Sequence, residues 1–192
     1  MKDIIAASLE QSIAAKQRFA EQSSETILEV VDLLVASFNN GNKVLIFGNG
    51  GSAADAQHMA AEFVNRFIID RPPLAAVALT TDTSIITSIG NDFSFDDIFA
   101  KQIYALGGEG DVAIGISTSG NSRNVVAAME AAASQGMKTV ALTGEGGGRL
   151  GEIVDFLLAV PSKKTPAIQE VHIWLEHLLC QLVDEVLFGA RS

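Results

Sequence analysis

Apolar residues in the first forty positions recur at three- and four-residue spacing, and then the rhythm changes. Residues 4–20 and 24–39 read as two amphipathic helices; in the second, Ile27, Val30, Val31, Leu34 and Phe38 form the stripe. Ser24 is placed as the N-cap of the second helix and Asn40-Gly41 as its stop. Beyond residue 42 come short apolar runs at 43–47, 75–79, 111–117, 138–143 and 156–160. Each is brief and apolar on both alternating faces, the pattern of a buried parallel strand. Helical segments at 53–67, 82–90 with 95–106, and 121–135 separate them, with a short turn near 148–153. A long helix over 166–187 closes the chain.

Alternating strands and helices predict an α/β fold, a flavodoxin-like doubly wound sheet of five parallel strands in the order 2-1-3-4-5. Helices cover both faces, and the two N-terminal helices precede the sheet. One domain is expected over 1–192, with 1–41 in subunit contacts and 42–192 forming the α/β core and closing helix. In this topology ligands bind at the carboxyl ends of strands 1 and 3. The turns there are Gly48-Asn49-Gly50-Gly51-Ser52 and Ser117-Thr118-Ser119-Gly120-Asn121-Ser122.

Composition narrows the classes. The 192 residues are 48% hydrophobic and 19% charged, as in an ordinary globular protein. Thirteen basic and 23 acidic residues give a net charge of −10, which argues against a general nucleic-acid surface. An anionic ligand must be held locally, by N–H groups, hydroxyls and helix N-termini. No apolar run approaches the ~18 residues of a membrane span, and the N-terminus lacks a signal-peptide core. With a single cysteine, Cys180, the expectation is a cytoplasmic protein with no membrane partner.

Gly48, Gly50 and Ala53 satisfy the dinucleotide fingerprint G-x-G-x-x-G/A, a weak match alone. Neither Asp70 nor Asp82 has both the place and the spacing of the ribose-binding acid, and no Walker lysine follows Ser52. The serine-rich turn packs four hydroxyls before a helix, which favours a phosphate monoester over simple capping. Asp55, His58 and Glu62 share one helical face. Spacing alone leaves a solvated polar face as open as a metal or acid–base site. His172 and His177 lie beside the apolar stripe of the closing helix, where a structural role is equally open.

Together "GNGGSAADAQHMAAEF", "GNDFSFDDIF", "GDVAIGISTSGNS", "ALTGEGGG" and "IQEVHIWLEH" resemble the sugar isomerase (SIS) domain, and within it the bacterial phosphoheptose isomerases. The resemblance implies aldose–ketose isomerisation of a phosphorylated seven-carbon sugar by a homotetramer with active sites between subunits. It implies phosphate contacts from Ser117, Thr118, Ser119 and Ser122. Further substrate contacts are implied for Asn49, Gly50, Gly51, Ser52, Glu62, Asn91, Asp92 and Gln169. It also implies one Zn2+ per subunit on His58, Glu62, Gln169 and His177, with Glu62 and His177 as the catalytic acid–base pair. Gln169 and His177 are eight residues apart, about 12 Å along a helix, so sharing one ion demands extended side chains, a bend or a second subunit. A non-catalytic relative that associates with the replication initiator DnaA is the alternative; it lacks counterparts of Glu62 and His177. One departure from the isomerases is Ala167, where they often carry arginine.

Overall fold

The computed structural model describes residues 1–189. Five parallel strands form the sheet: β1 (Val44–Gly48), β2 (Ala76–Ala78), β3 (Val112–Ser117), β4 (Lys138–Thr143) and β5 (Phe156–Ala159), in the order β2-β1-β3-β4-β5. This is the expected doubly wound order. Around it lie α1 (Lys2–Asn39), α2 (Gly51–Val64), α3 (Thr83–Asp92), α4 (Ala100–Leu106), α5 (Arg123–Ser134) and α6 (Thr165–Phe188).

Side chains of the central strands alternate between two cores. Val44 and Ile46 of β1, with Val112, Ile114 and Ile116 of β3, face the core built with α1, α2 and α6. Leu45 and Phe47 of β1, with Ala113 of β3, face the core built with α3, α4 and α5. Helices therefore cover both faces, which explains why the strands read as unbroken apolar runs. Register pairs Gly48 with Ile116, so the turns leaving β1 and β3 lie side by side.

The expected N-terminal helix pair is instead one continuous 38-residue helix, α1. The joint expected at Ser24 contains neither glycine nor proline, so nothing forces a break. Ser24 is not a cap: its hydroxyl donates back to the Ala20 carbonyl within the helix. The stop is where the sequence places it, with Asn40 at the C-cap and Gly41 at φ 76°. Helix α2 is shorter than the expected 53–67 and ends at Val64. Among the described residues no helix is long and apolar enough to cross a membrane.

Candidate active site

The candidate residues form two groups, one on the turns at the crevice between β1 and β3 and one on the seam between α2 and α6. The serine turn is held tightly: Gly120 has φ 66°, and a Cβ there would run into the Gly147 carbonyl. The Gly120 carbonyl accepts from Leu150 N at 3.0 Å. Ser117 and Ser122 hydroxyls lie 2.9 Å apart, and Ser117 and Ser119 hydroxyls 3.5 Å apart. Ser122 occupies the N-cap of α5, yet its side chain makes no capping bond. The hydroxyls thus converge on one another at a helix start, an arrangement suited to an oxyanion. A cavity of about 240 Å³ opens beside them, lined by Thr118, Ser119, Glu145, Ser162, Lys163, Thr165 and Ile168. Larger grooves of about 490 and 450 Å³ run between α1 and the start of α6, but hold none of the candidate side chains.

The neighbouring turn is fastened to the same helix. Asn49 and Asn124 exchange two amide hydrogen bonds, each 2.8 Å. Asn124, on α5, is buried and was not anticipated; only its place two residues after the serine turn hinted at it. Gly50 is the N-cap of α2, and Ser52 is buried in the first turn. The Gln169 amide lies so close to Gly51 that a Cβ there would collide with it. Asp82 accepts from Ile85 N at 2.9 Å as the N-cap of α3, so its carboxylate is committed locally rather than offered to a ribose. Asn91 donates to Asp92 at 2.8 Å, and both are exposed at the end of α3.

The second group lies on the seam between α2 and α6. His58 Nε2 is 2.8 Å from His177 Nε2 and 3.5 Å from Glu62 Oε1. Phe67 stacks on His177, with ring centroids 5.4 Å apart and an interplanar angle of 20°. Gln169 meets Gly51 while His177 meets His58, so the two helices run side by side in the same direction. Gln169 therefore sits about two turns from the histidine pair, and this chain does not gather it with His58, Glu62 and His177. Among the described residues no group of three His, Cys, Asp or Glu side chains is arranged to hold a metal as it stands. The closer test is the donor set itself. Two imidazole nitrogens and a carboxylate suit zinc, whose ligand atoms lie roughly 3.3 Å apart in a tetrahedron. His58 and Glu62 fit that separation at 3.5 Å; the two imidazoles, at 2.8 Å, must part slightly.

Buried ionisable groups line the same seam. Glu176 is fully buried, and among the described residues neither carboxylate oxygen has a partner. Burial pushes its carboxyl up to about 9, and the nearby Asp55 charge adds to the effect. Asp55 is itself raised by burial, with His58 pulling the other way. Burial lowers His172 to about 4, opposed by its 3.1 Å bond to the Thr143 carbonyl. His172 is thus a structural histidine, neutral and donating through Nε2. Ala167 is buried in the core and brings no cation to the site.

The family model for the SIS domain matches residues 9–144. The chain is 51% identical over 188 residues to the phosphoheptose isomerase of Thermodesulfovibrio yellowstonii, covering 98% of this chain and 94% of that protein. It is 53% identical over 181 residues to the Burkholderia pseudomallei phosphoheptose isomerase, covering 94% and 92%. The solved phosphoheptose isomerase of Neisseria gonorrhoeae superposes with a TM-score of 0.91 at 47% identity, covering 96% of this chain and 98% of that one. The Francisella tularensis structure gives 0.92 at 42% identity, covering 95% and 97%. The chain belongs to the phosphoheptose isomerase family of SIS-domain proteins.

Proposed function

We propose that this chain converts D-sedoheptulose 7-phosphate to D-glycero-D-manno-heptose 7-phosphate through an enediol. The observation that carries the reading is the convergence of Glu62 and His177, from helices over a hundred residues apart, on His58. That seam lies on the helix that starts from the Gly50-Gly51 turn, beside the serine turn.

The chemistry follows from the groups present. A base removes a C1 proton of the ketose, and the C–H electron pair becomes the C1=C2 bond. The carbonyl pair moves onto O2, which takes a proton. Removal of the O1 proton then re-forms a carbonyl at C1, and C2 receives a proton. Net composition is unchanged, so the site needs only proton carriers and stabilisation of the developing oxyanion. Glu62 and His177 are the carriers. Without metal, His58 is in hydrogen-bond contact with His177 through the two Nε2 atoms, which keeps the His177 ring turned towards Glu62's helix. The serine hydroxyls grip the distant phosphate and supply binding energy for orientation. Asn49, Gly50, Gly51, Ser52, Asn91, Asp92 and Gln169 complete the substrate contacts in this reading.

One Zn2+ per subunit is part of the proposal, held by His58, Glu62 and His177, with Gln169 reaching the ion from a second subunit as the fourth ligand, because in its own chain it lies against Gly51. Bound there, zinc would polarise the sugar carbonyl. Elemental analysis of protein purified without added metal should find it; a fully active preparation free of zinc would overturn this part. A homotetramer is also proposed, with α1 in subunit contacts, because Ile5, Leu9 and Ile13 recur every four residues and stand exposed on it. The proposed setting is the cytoplasm, and the product would feed nucleotide-activated heptose for lipopolysaccharide or related glycans.

Conversion of sedoheptulose 7-phosphate by the purified chain, read as the aldose formed, tests the activity. Replacing Ser119 tests the phosphate site. Ser119→Glu should raise KM by about tenfold or more, since a carboxylate placed in the hydroxyl cluster repels the phosphate, and change kcat less. A shift in melting temperature with unchanged KM would mean that the hydroxyls serve only the fold.

A further inference from the structure

The segment joining α2 to β2 folds back over the catalytic seam and delivers one cation into it. Arg71 and Asp184 side chains are each only 1% exposed, and Arg71 Nε donates to Asp184 Oδ1 at 2.7 Å. Arg71 Nη1 donates to the Phe63 carbonyl at 2.7 Å and to the Pro72 carbonyl at 3.1 Å. Nη2 donates to the Glu62 carbonyl at 3.0 Å. The Phe188 ring centroid lies 5.8 Å from the guanidinium carbon.

Two features make this more than a buried ion pair. First, the last carbonyls of a helix have no partners within it. Asn65 N reaches the Ala61 carbonyl, Arg71 donates to the Glu62 carbonyl, and Arg71 and Leu74 N both donate to the Phe63 carbonyl. Second, Asp184 follows His177 by seven residues, two turns, and so shares its face of α6. One planar group thus joins the backbone of Glu62 to the helix face that carries His177. Stability alone gives little reason for the arrangement, because an apolar replacement of a buried ion pair is often neutral or better.

We propose that Arg71 is a positioning residue that sets the separation of the Glu62 carboxylate from the His177 ring. The proposal rests on the acid–base roles given above. Lysine can keep the charge pair with Asp184 but cannot also span two carbonyls. Arg71→Lys should therefore lower kcat by about 10- to 100-fold, at temperatures well below unfolding, with KM little changed. In Arg71→Ala, added guanidinium ion below denaturing concentration should restore part of kcat. Wild-type kcat in Arg71→Lys beside an inactive Glu62→Gln would overturn the positioning role alone. So would a loss seen only in melting temperature, or no guanidinium rescue in folded Arg71→Ala. Wild-type kcat in Glu62→Gln would overturn both the acid–base reading and the proposal resting on it.

Discussion

Glutamine at position 62 should lower kcat by about two to four orders of magnitude while leaving KM within a few-fold. The substitution keeps the shape of the side chain and removes its capacity to carry a proton. The Glu62 backbone carbonyl keeps its bond to Arg71, and among the described residues the half-buried side chain makes no other charged contact than His58. The fold should therefore survive, and the loss should be one of chemistry. If proton transfer at carbon is the difficult step, an amide cannot perform it, whereas phosphate and hydroxyl contacts still hold the sugar. Steady-state kinetics on a variant of unchanged oligomeric state decide this. Near-normal turnover would remove Glu62 from the mechanism.

His172→Gln should change how stability depends on pH. His172 is fully buried, and burial lowers it from the ordinary 6.5 to about 4. Below 6.5 the unfolded chain takes up a proton that the folded chain refuses until about 4. Stability supplied by this histidine is thus fully present above 6.5, erodes as pH falls through that window, and is lost below about 4. The whole effect is about 3 kcal/mol, an order-of-magnitude figure. Glutamine can still donate to the Thr143 carbonyl, and any cost of its unpaired oxygen is independent of pH. Glu176 pulls the other way: raised from 4.5 to about 9, it costs stability as pH climbs between those values. The wild-type curve mixes both groups, so the measurement is the difference between wild type and variant in urea unfolding at each pH. The wild-type advantage should shrink by about 3 kcal/mol between pH 7 and pH 4. A constant difference across that range would mean that His172 titrates normally.

The strand order and the two phosphate-compatible turns were legible because they depend on local patterns. Apolar runs such as VLIF and VAIGI announce strands buried on both faces, and the order follows from their number and connections. The continuous α1 was misread because a polar stretch around Ser24 resembles a helix start, while only glycine, proline or a tertiary contact would force one. Polar groups without a local signature were also hidden. Asn124 looks like an ordinary helical asparagine until the fold sets it against Asn49. Arg71 sits in an exposed-looking IIDRPP segment, and nothing nearby in sequence announces Asp184. Glu176, between Leu175 and His177, reads as a solvated charge, yet the α2 seam buries it completely. His58, Glu62 and His177 show the reverse case. Their spacing left a polar surface as open as a site, and packing of α2 against α6 brings them together. Gln169 marks where the sequence and this single chain diverge, because it lies against Gly51 rather than the histidines.

The most direct measurement is turnover. Purified protein is incubated with D-sedoheptulose 7-phosphate, with and without added zinc, and the seven-carbon aldose phosphate is quantified over time. The account predicts steady formation of D-glycero-D-manno-heptose 7-phosphate until the two sugars reach equilibrium, and its loss in Glu62→Gln. No aldose under either condition, from protein that is folded and binds the sugar, would contradict it.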